Sequence, residues 1–170
     1  MPWTFYDTIN ANKVDYMFYN NRMVSEIPDM NFPKASYAVN FASTCNNLIK
    51  VGTINSPSVT HWTFGFSDCQ KLETIEGIDL TSATTVDSLF YNCKALTNLT
   101  INGTISINNL DLTYCTLLTH ESLMSVINAL VDKTTDTSGT VWKIKLGSTN
   151  LAKLTDDEKL IIENKGWTYA

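Results

Sequence analysis

A chain of 170 residues holds one domain with a core of its own and leaves too little for two independent ones, so residues 1–170 are read as a single domain. Apolar residues make up 44%, which excludes a disordered segment, and the charged fraction of 17% leaves a gap that 23 Thr, 17 Asn and 13 Ser fill, solvating turns through hydroxyl and amide groups. A net charge of −5 with a lone arginine excludes a nucleic-acid partner, since that affinity comes from basic side chains neutralising phosphates.

The chain opens Met1-Pro2-Trp3-Thr4-Phe5-Tyr6-Asp7, without the basic start and apolar core of a signal peptide. No stretch approaches the ~20 apolar residues that cross a bilayer, so no membrane insertion is expected. Regular patterning begins at Val14, and an uncovered first layer would expose a strand edge. Two coverings are expected: Trp3, Phe5 and Tyr6 fold back as an aromatic lid, or this end docks on another copy or a preceding domain, the preferred reading.

From there a fixed step governs the sequence. Cys45, Cys69 and Cys93 are 24 residues apart, Cys115 follows after 22, and Asn21 lies 24 before Cys45. Three residues beyond these anchors come Val24, Leu48, Leu72, Leu96 and Leu118, and six beyond them Ile27, Val51, Ile75 and Leu99. Upstream, Val14, Ala38, Trp62 and Val86 form one column and Phe18, Ala42, Phe66, Phe90 and Leu112 another. Coincident apolar columns at a constant period mark units that bury a face only by stacking, so residues 14–118 are expected to form a solenoid of short parallel strands. Residues 72–75 and 96–99 read as strands, Glu76-Gly77 and Asn102-Gly103 as the turns after them, and residues 86–93 as a return arc of one or two helical turns.

The segments Met17-Phe18-Tyr19-Asn20-Asn21-Arg22-Met23-Val24, Phe66-Ser67-Asp68-Cys69-Gln70-Lys71-Leu72 and Leu89-Phe90-Tyr91-Asn92-Cys93-Lys94-Ala95-Leu96 resemble the Phe-x-x-Cys-x-x-Leu units of BspA-like leucine-rich repeat surface proteins. Asn21 in place of Cys, Ala42 in place of Phe and the shorter fifth unit depart from that pattern. The resemblance implies an α/β leucine-rich repeat array and a role in adhesion or receptor recognition, on a bacterial cell surface or in a phage tail.

Beyond Leu118 the period changes. Leu123, Val126, Ile127, Leu130 and Val131 fall on one helical face, with Thr119 as N-cap and Glu121 in the first turn. A polar break at 132–139 precedes a strand through Trp142, Ile144 and Leu146. Thr155-Asp156-Asp157-Glu158 is a capping box opening a second helix, with Leu160 and Ile161 as its apolar contacts and Gly166 as its stop, before a last strand at 167–169. Residues 119–170 thus read as a helix-strand-helix-strand C-terminal cap, and 118–124 with 147–155 resemble the closing segments of some such repeat proteins.

Chemistry is sparse. None of the four cysteines forms a close pair of the zinc-binding kind, and neighbouring units seldom present disulfide geometry, so buried free thiols are expected and no metal or cofactor. His61 and His120 belong to no nucleophile-base arrangement, and no phosphate loop or dinucleotide fingerprint occurs. Carboxylates paired in space leave no mark in a sequence, and that chemistry stays open. Trp62, Phe64, Phe66 and Tyr91 suggest stacking on a glycan, but Trp62 and Phe66 are in core columns and only Phe64 is spare. Between the aliphatic columns, Glu26, Lys50, Thr74 and Asn98 form one polar file beside Ser25, Ile49, Glu73 and Thr97; Glu26, Lys50, Glu73, Thr74, Thr97 and Asn98 are the candidate ligand-binding residues. The expected function is non-enzymatic recognition or adhesion, contacting a host or bacterial surface protein or a glycan from a bacterial surface or phage tail fibre. The alternative is a structural spacer or assembly domain of a larger surface fibre or virion.

Overall fold

Residues one 24-residue step apart lie side by side. In a computed structural model, which describes residues 8–170, Lys13 bridges Tyr37, Tyr37 bridges His61 and His61 bridges Thr85. Trp3, Phe5 and Tyr6 lie outside the described residues. Strands β1 (Glu26–Ile27), β2 (Met30–Asn31), β3 (Lys50–Asn55), β4 (Thr74–Asp79) and β5 (Asn98–Asn102) form a parallel sheet in the order β1-β3-β4-β5, with β2 also on β3. Glu26 pairs with Lys50, Lys50 with Thr74 and Thr74 with Asn98. With α1 (His120–Ala129), β6 (Lys143–Ile144), α2 (Gly147–Leu151), α3 (Asp156–Asn164) and β7 (Thr168–Tyr169), this is an α/β arrangement on a mostly parallel sheet with few helices.

The strands start two residues later than the sequence reading placed them and run on through Glu76-Gly77, which was expected to turn. Both belong to β4, because Gly77 pairs with Thr53 and a Cβ there would meet the Asn102 side chain. Between β4 and β5 the pairing offset falls from 24 (Thr74 with Asn98) to 23 (Ile78 with Ile101). One extra residue on β4 is accommodated as a bulge, absorbing part of the shorter fifth unit. The first strand is interrupted by Pro28, which has no N–H to offer. There the Asp29 carboxylate accepts from Thr53 N–H at 2.7 Å in place of a ladder bond.

Cys45, Leu48, Val51, Trp62, Phe66, Cys69, Leu72, Ile75, Phe90, Cys93 and Leu96 are fully buried, while Phe18 and Val24 are partly so. The four cysteines are free thiols. They are more than fillers: Cys45, Cys69 and Cys93 donate to the carbonyls of Phe18, Ala42 and Phe66 at 2.9, 3.0 and 3.1 Å, one unit back. Outside the core the polar composition finds its use, because many Asn, Ser and Thr side chains bond across one 24-residue step, as in Asn55 to Asn31, Thr84 to Thr60, Asn92 to Asp68 and Thr97 to Glu73.

The return arcs are not helical. Ser88 and Asn92 have φ of 55° and 60°, and the same two positions are left-handed in every earlier arc: Tyr16, Asn40 and Phe64, then Asn20, Thr44 and Asp68. A left-handed residue every fourth position interrupts a right-handed helix. It frees backbone N–H groups to point at the next arc, so Ala42 donates to Gly65, Thr44 to Ser67 and Phe66 to Leu89. Apolar spacing alone reads the same for such a turn series as for a helix. Thr44 is the costliest of the polar left-handed residues, being β-branched, with φ of 61°. Thr44→Asn, the type present at Asn20 and Asn92, should stabilise by about 1 kcal/mol; a lower urea midpoint than wild type would refute this account of the arcs.

In the C-terminal segment Thr119 caps α1, accepting from Ser122 N–H, and Thr155 with Glu158 forms the capping box of α3. Ser122 and Ser125 turn α1 into a stand-in for a strand, since their hydroxyls accept from Leu99 N–H and Ile101 N–H on the outer edge of β5 at 2.9 and 3.0 Å. Three details differ from the sequence reading. The strand through Trp142 is confined to Lys143–Ile144. On α3 Ile161 packs half-buried against the core as expected, but the fully buried contact is Ile162, and Leu160 is exposed. A short extra helix, α2, places Asn150 in the interior, where its amide donates to the carbonyls of Leu112, Cys115 and Leu146.

Candidate functional site

Two faces carry organised polar groups. The strand face holds the file read from the sequence, with Glu26, Lys50, Thr74 and Asn98 neighbouring one another through the strand register. Glu73 and Thr97 sit just before β4 and β5, joined by Thr97 N–H donating to the Glu73 carbonyl at 3.0 Å. Glu26, Glu73 and Asn98 are exposed, and Lys50, Thr74 and Thr97 are half-buried. Asn98, Thr97 and Thr74 engage one another, and Lys50 engages a neighbour outside the file. Lys50 meets Glu76 at 2.6 Å, and that carboxylate's hydrogen bond and charge raise the lysine's pKa. Asn98 Nδ2 donates to Thr97 Oγ1 at 3.1 Å and to Thr74 Oγ1 at 3.4 Å. Beyond Asn98 a groove of about 400 Å³ runs between β5 and α1, edged by Thr100, Glu121, Met124 and Asn128.

The arc face is shaped differently. Two residues before the first four anchors the chain has Tyr19, Ser43, Ser67 and Tyr91. The tyrosines are exposed and the serines between them buried, so the column is tall at its ends and low in the middle. The result is a trough of about 420 Å³ floored by Ser43 and Ser67, walled by Phe64 and Tyr91 and rimmed by Asn40, Asp68 and Ser88. The Asp68 carboxylate is held by Asn92 Nδ2 at 2.7 Å and Ser67 Oγ at 3.3 Å. Tyr91 is buttressed edge to face by Tyr114, with centroids 4.6 Å apart, and Tyr19, outside the trough, packs likewise on Tyr16 at 5.4 Å.

Sequence reasoning isolated Phe64 as spare and placed Trp62 and Phe66 in the core, where both are fully buried. It passed over the serines, whose signal was available: a column alternating between Tyr and Ser is irregular only in size. The histidines stand apart from both faces. His61 stacks on Tyr37 at 4.7 Å and bonds Thr60 Oγ1, while His120 meets Glu158 at 2.7 Å and ties α1 to α3. Among the described residues no group of three or more His, Cys, Asp or Glu could hold a metal ion, and no helix is long and apolar enough to cross a membrane. Comparison with protein-family models, curated proteins and solved structures finds no match.

Proposed function

We propose that residues 14–118 form a short leucine-rich repeat solenoid of the BspA-like kind, closed by residues 119–170, and that the chain is a non-enzymatic recognition or adhesion module. The observation that carries this is the register. Equivalent residues of successive 24-residue units pair directly, from Glu26 through Lys50 and Thr74 to Asn98, and stacked units of that kind present extended surfaces suited to a ligand. The resemblance to bacterial surface and phage tail repeats gives the setting: a bacterial surface or a virion, with a surface protein or glycan as partner.

Purified chain, fluorescently labelled, should be retained on whole bacterial or host cells above a scrambled-column control. A chain retained by no cell in a broad panel would favour the spacer or assembly reading. The combined Lys50→Ala, Thr74→Ala and Asn98→Ala variant locates the contact: lost retention with an unchanged melting curve assigns it to the strand face, and unchanged retention assigns it elsewhere.

A further inference from the structure

Phe64 is an exposed aromatic in a conformation that disfavours it. Its φ is 57°, where a bulky L-residue is strained, and it remains 42% exposed, so burial offsets the strain only in part. The core does not require it, because Trp62 and Phe66 on either side fill that space. Asn40 and Ser88 hold the same position one step before and one step after without an aromatic ring, and Tyr16, two steps before, holds it with a ring that packs edge to face on Tyr19. Strain without a full packing reward, at the wall of a trough, marks a residue kept for contact with something else.

The trough's chemistry narrows what that is. Phe64 and Tyr91 offer aromatic surface, and Asp68, Asn40 and Ser88 offer a carboxylate, an amide and a hydroxyl around two small serines. No lysine or arginine lines it, and its charged group is an acid, which disfavours phosphate, sulfate or an acidic sugar. The mixture of polar rim and open shape disfavours a wholly apolar ligand. The lining runs from Asn40 to Tyr91 over three successive units, roughly 10 Å at ~4.8 Å per step, a length that suits one or two sugar rings.

We propose that this trough binds a neutral saccharide; this rests on the recognition reading above and names its ligand class. A C–H face of one ring lies on Phe64 with Tyr91 at its end, ring hydroxyls donate to the Asp68 carboxylate, and Asn40 and Ser88 exchange hydrogen bonds with the remaining hydroxyls.

The test uses the full chain on an array of immobilised neutral and acidic oligosaccharides, beside Phe64→Asn and Tyr91→Ser. Asn suits a left-handed position, so Phe64→Asn should melt no lower than wild type while binding about tenfold or more weakly, as expected for one lost aromatic contact. Tyr91→Ser should weaken binding likewise. The proposal is overturned if the array retains only acidic sugars, if it retains nothing, or if both trough variants bind as wild type. Cells treated with periodate or with protease separate this from the wider reading. Retention lost to protease and untouched by periodate leaves a recognition module whose ligand is a protein and sinks the saccharide; retention on no cells and no sugars sinks both.

Discussion

Leu72→Ala and Leu96→Ala should each lower the unfolding free energy by about 2–5 kcal/mol. Both side chains are fully buried, and the backbone around them has little freedom to collapse into the space left. Leu72 N–H donates to the Cys69 carbonyl, Leu96 N–H to the Cys93 carbonyl, and the residues just beyond are locked in the strand ladder. A void that cannot close loses its contacts outright, which places these sites toward the costly end of that range. Asn98→Ala, two residues from Leu96 and exposed, should change stability by less than about 0.5 kcal/mol. Urea denaturation of the three variants decides the matter: comparable losses would mean that the strand face, and not the leucine column, holds the sheet together.

Alkali should unfold the protein through its thiols. Burial pushes Cys69 and Cys115 from an ordinary 9.0 up to about 12, Cys93 well up and Cys45 up. The native state therefore keeps protons that the unfolded chain gives up. That contribution is intact below pH 9 and is lost as pH rises toward 12. Cys69 and Cys115 each take away up to about 1.4 kcal/mol per pH unit in that window, or roughly 2 kcal/mol by pH 10.5. Those two alone remove a good part of the ~5–15 kcal/mol stability of an ordinary domain, and Cys93 and Cys45 act in the same direction. Denaturation from pH 7 to 10.5 should show a steep fall, and the double variant Cys69→Ala, Cys93→Ala, weaker at pH 7, should show a shallower one. Parallel slopes would refute the thiol origin. At pH 8 an alkylating reagent should find no reactive cysteine until denaturant is added and then four, because a buried neutral thiol is inert.

What could be read from the sequence was what repeats. The spacing of Cys45, Cys69 and Cys93 is enough to pair Lys50 with Thr74 and Thr74 with Asn98, because an apolar column fixes which residues must be adjacent. Caps were legible too, since Thr119 and Thr155 act on neighbours three residues away. The arcs were misread because helices and turn series share the same apolar spacing, and the difference lies in φ at Ser88 and Asn92. Nothing in their residue types demands a left-handed conformation when Tyr16, Phe64 and Thr44 adopt it as well. Ser122 and Ser125 could not be foreseen as acceptors for β5, because that match joins helix spacing to strand spacing across a tertiary contact. The trough escaped for another reason: it is made by what is small, at Ser43 and Ser67, and pattern reading attends to what is large and apolar.

The direction of the backbone bonds gives the molecule a grain. In the strands and in the arcs alike, N–H groups of one unit reach the carbonyls of its neighbour, so these hydrogen bonds run along the line on which the units succeed one another. A force applied along that line, tugging Val14 away from β5, loads each layer's bonds in tension and opens them a few at a time, like a zip. A force along the strands must shear whole rows at once. Each layer peeled would release about 24 residues, roughly 80 Å of extended chain at ~3.3 Å per residue. The fold is thus soft in one direction and stiff in the other, and a tether at one end would yield under load in steps before the rest of the sheet is disturbed.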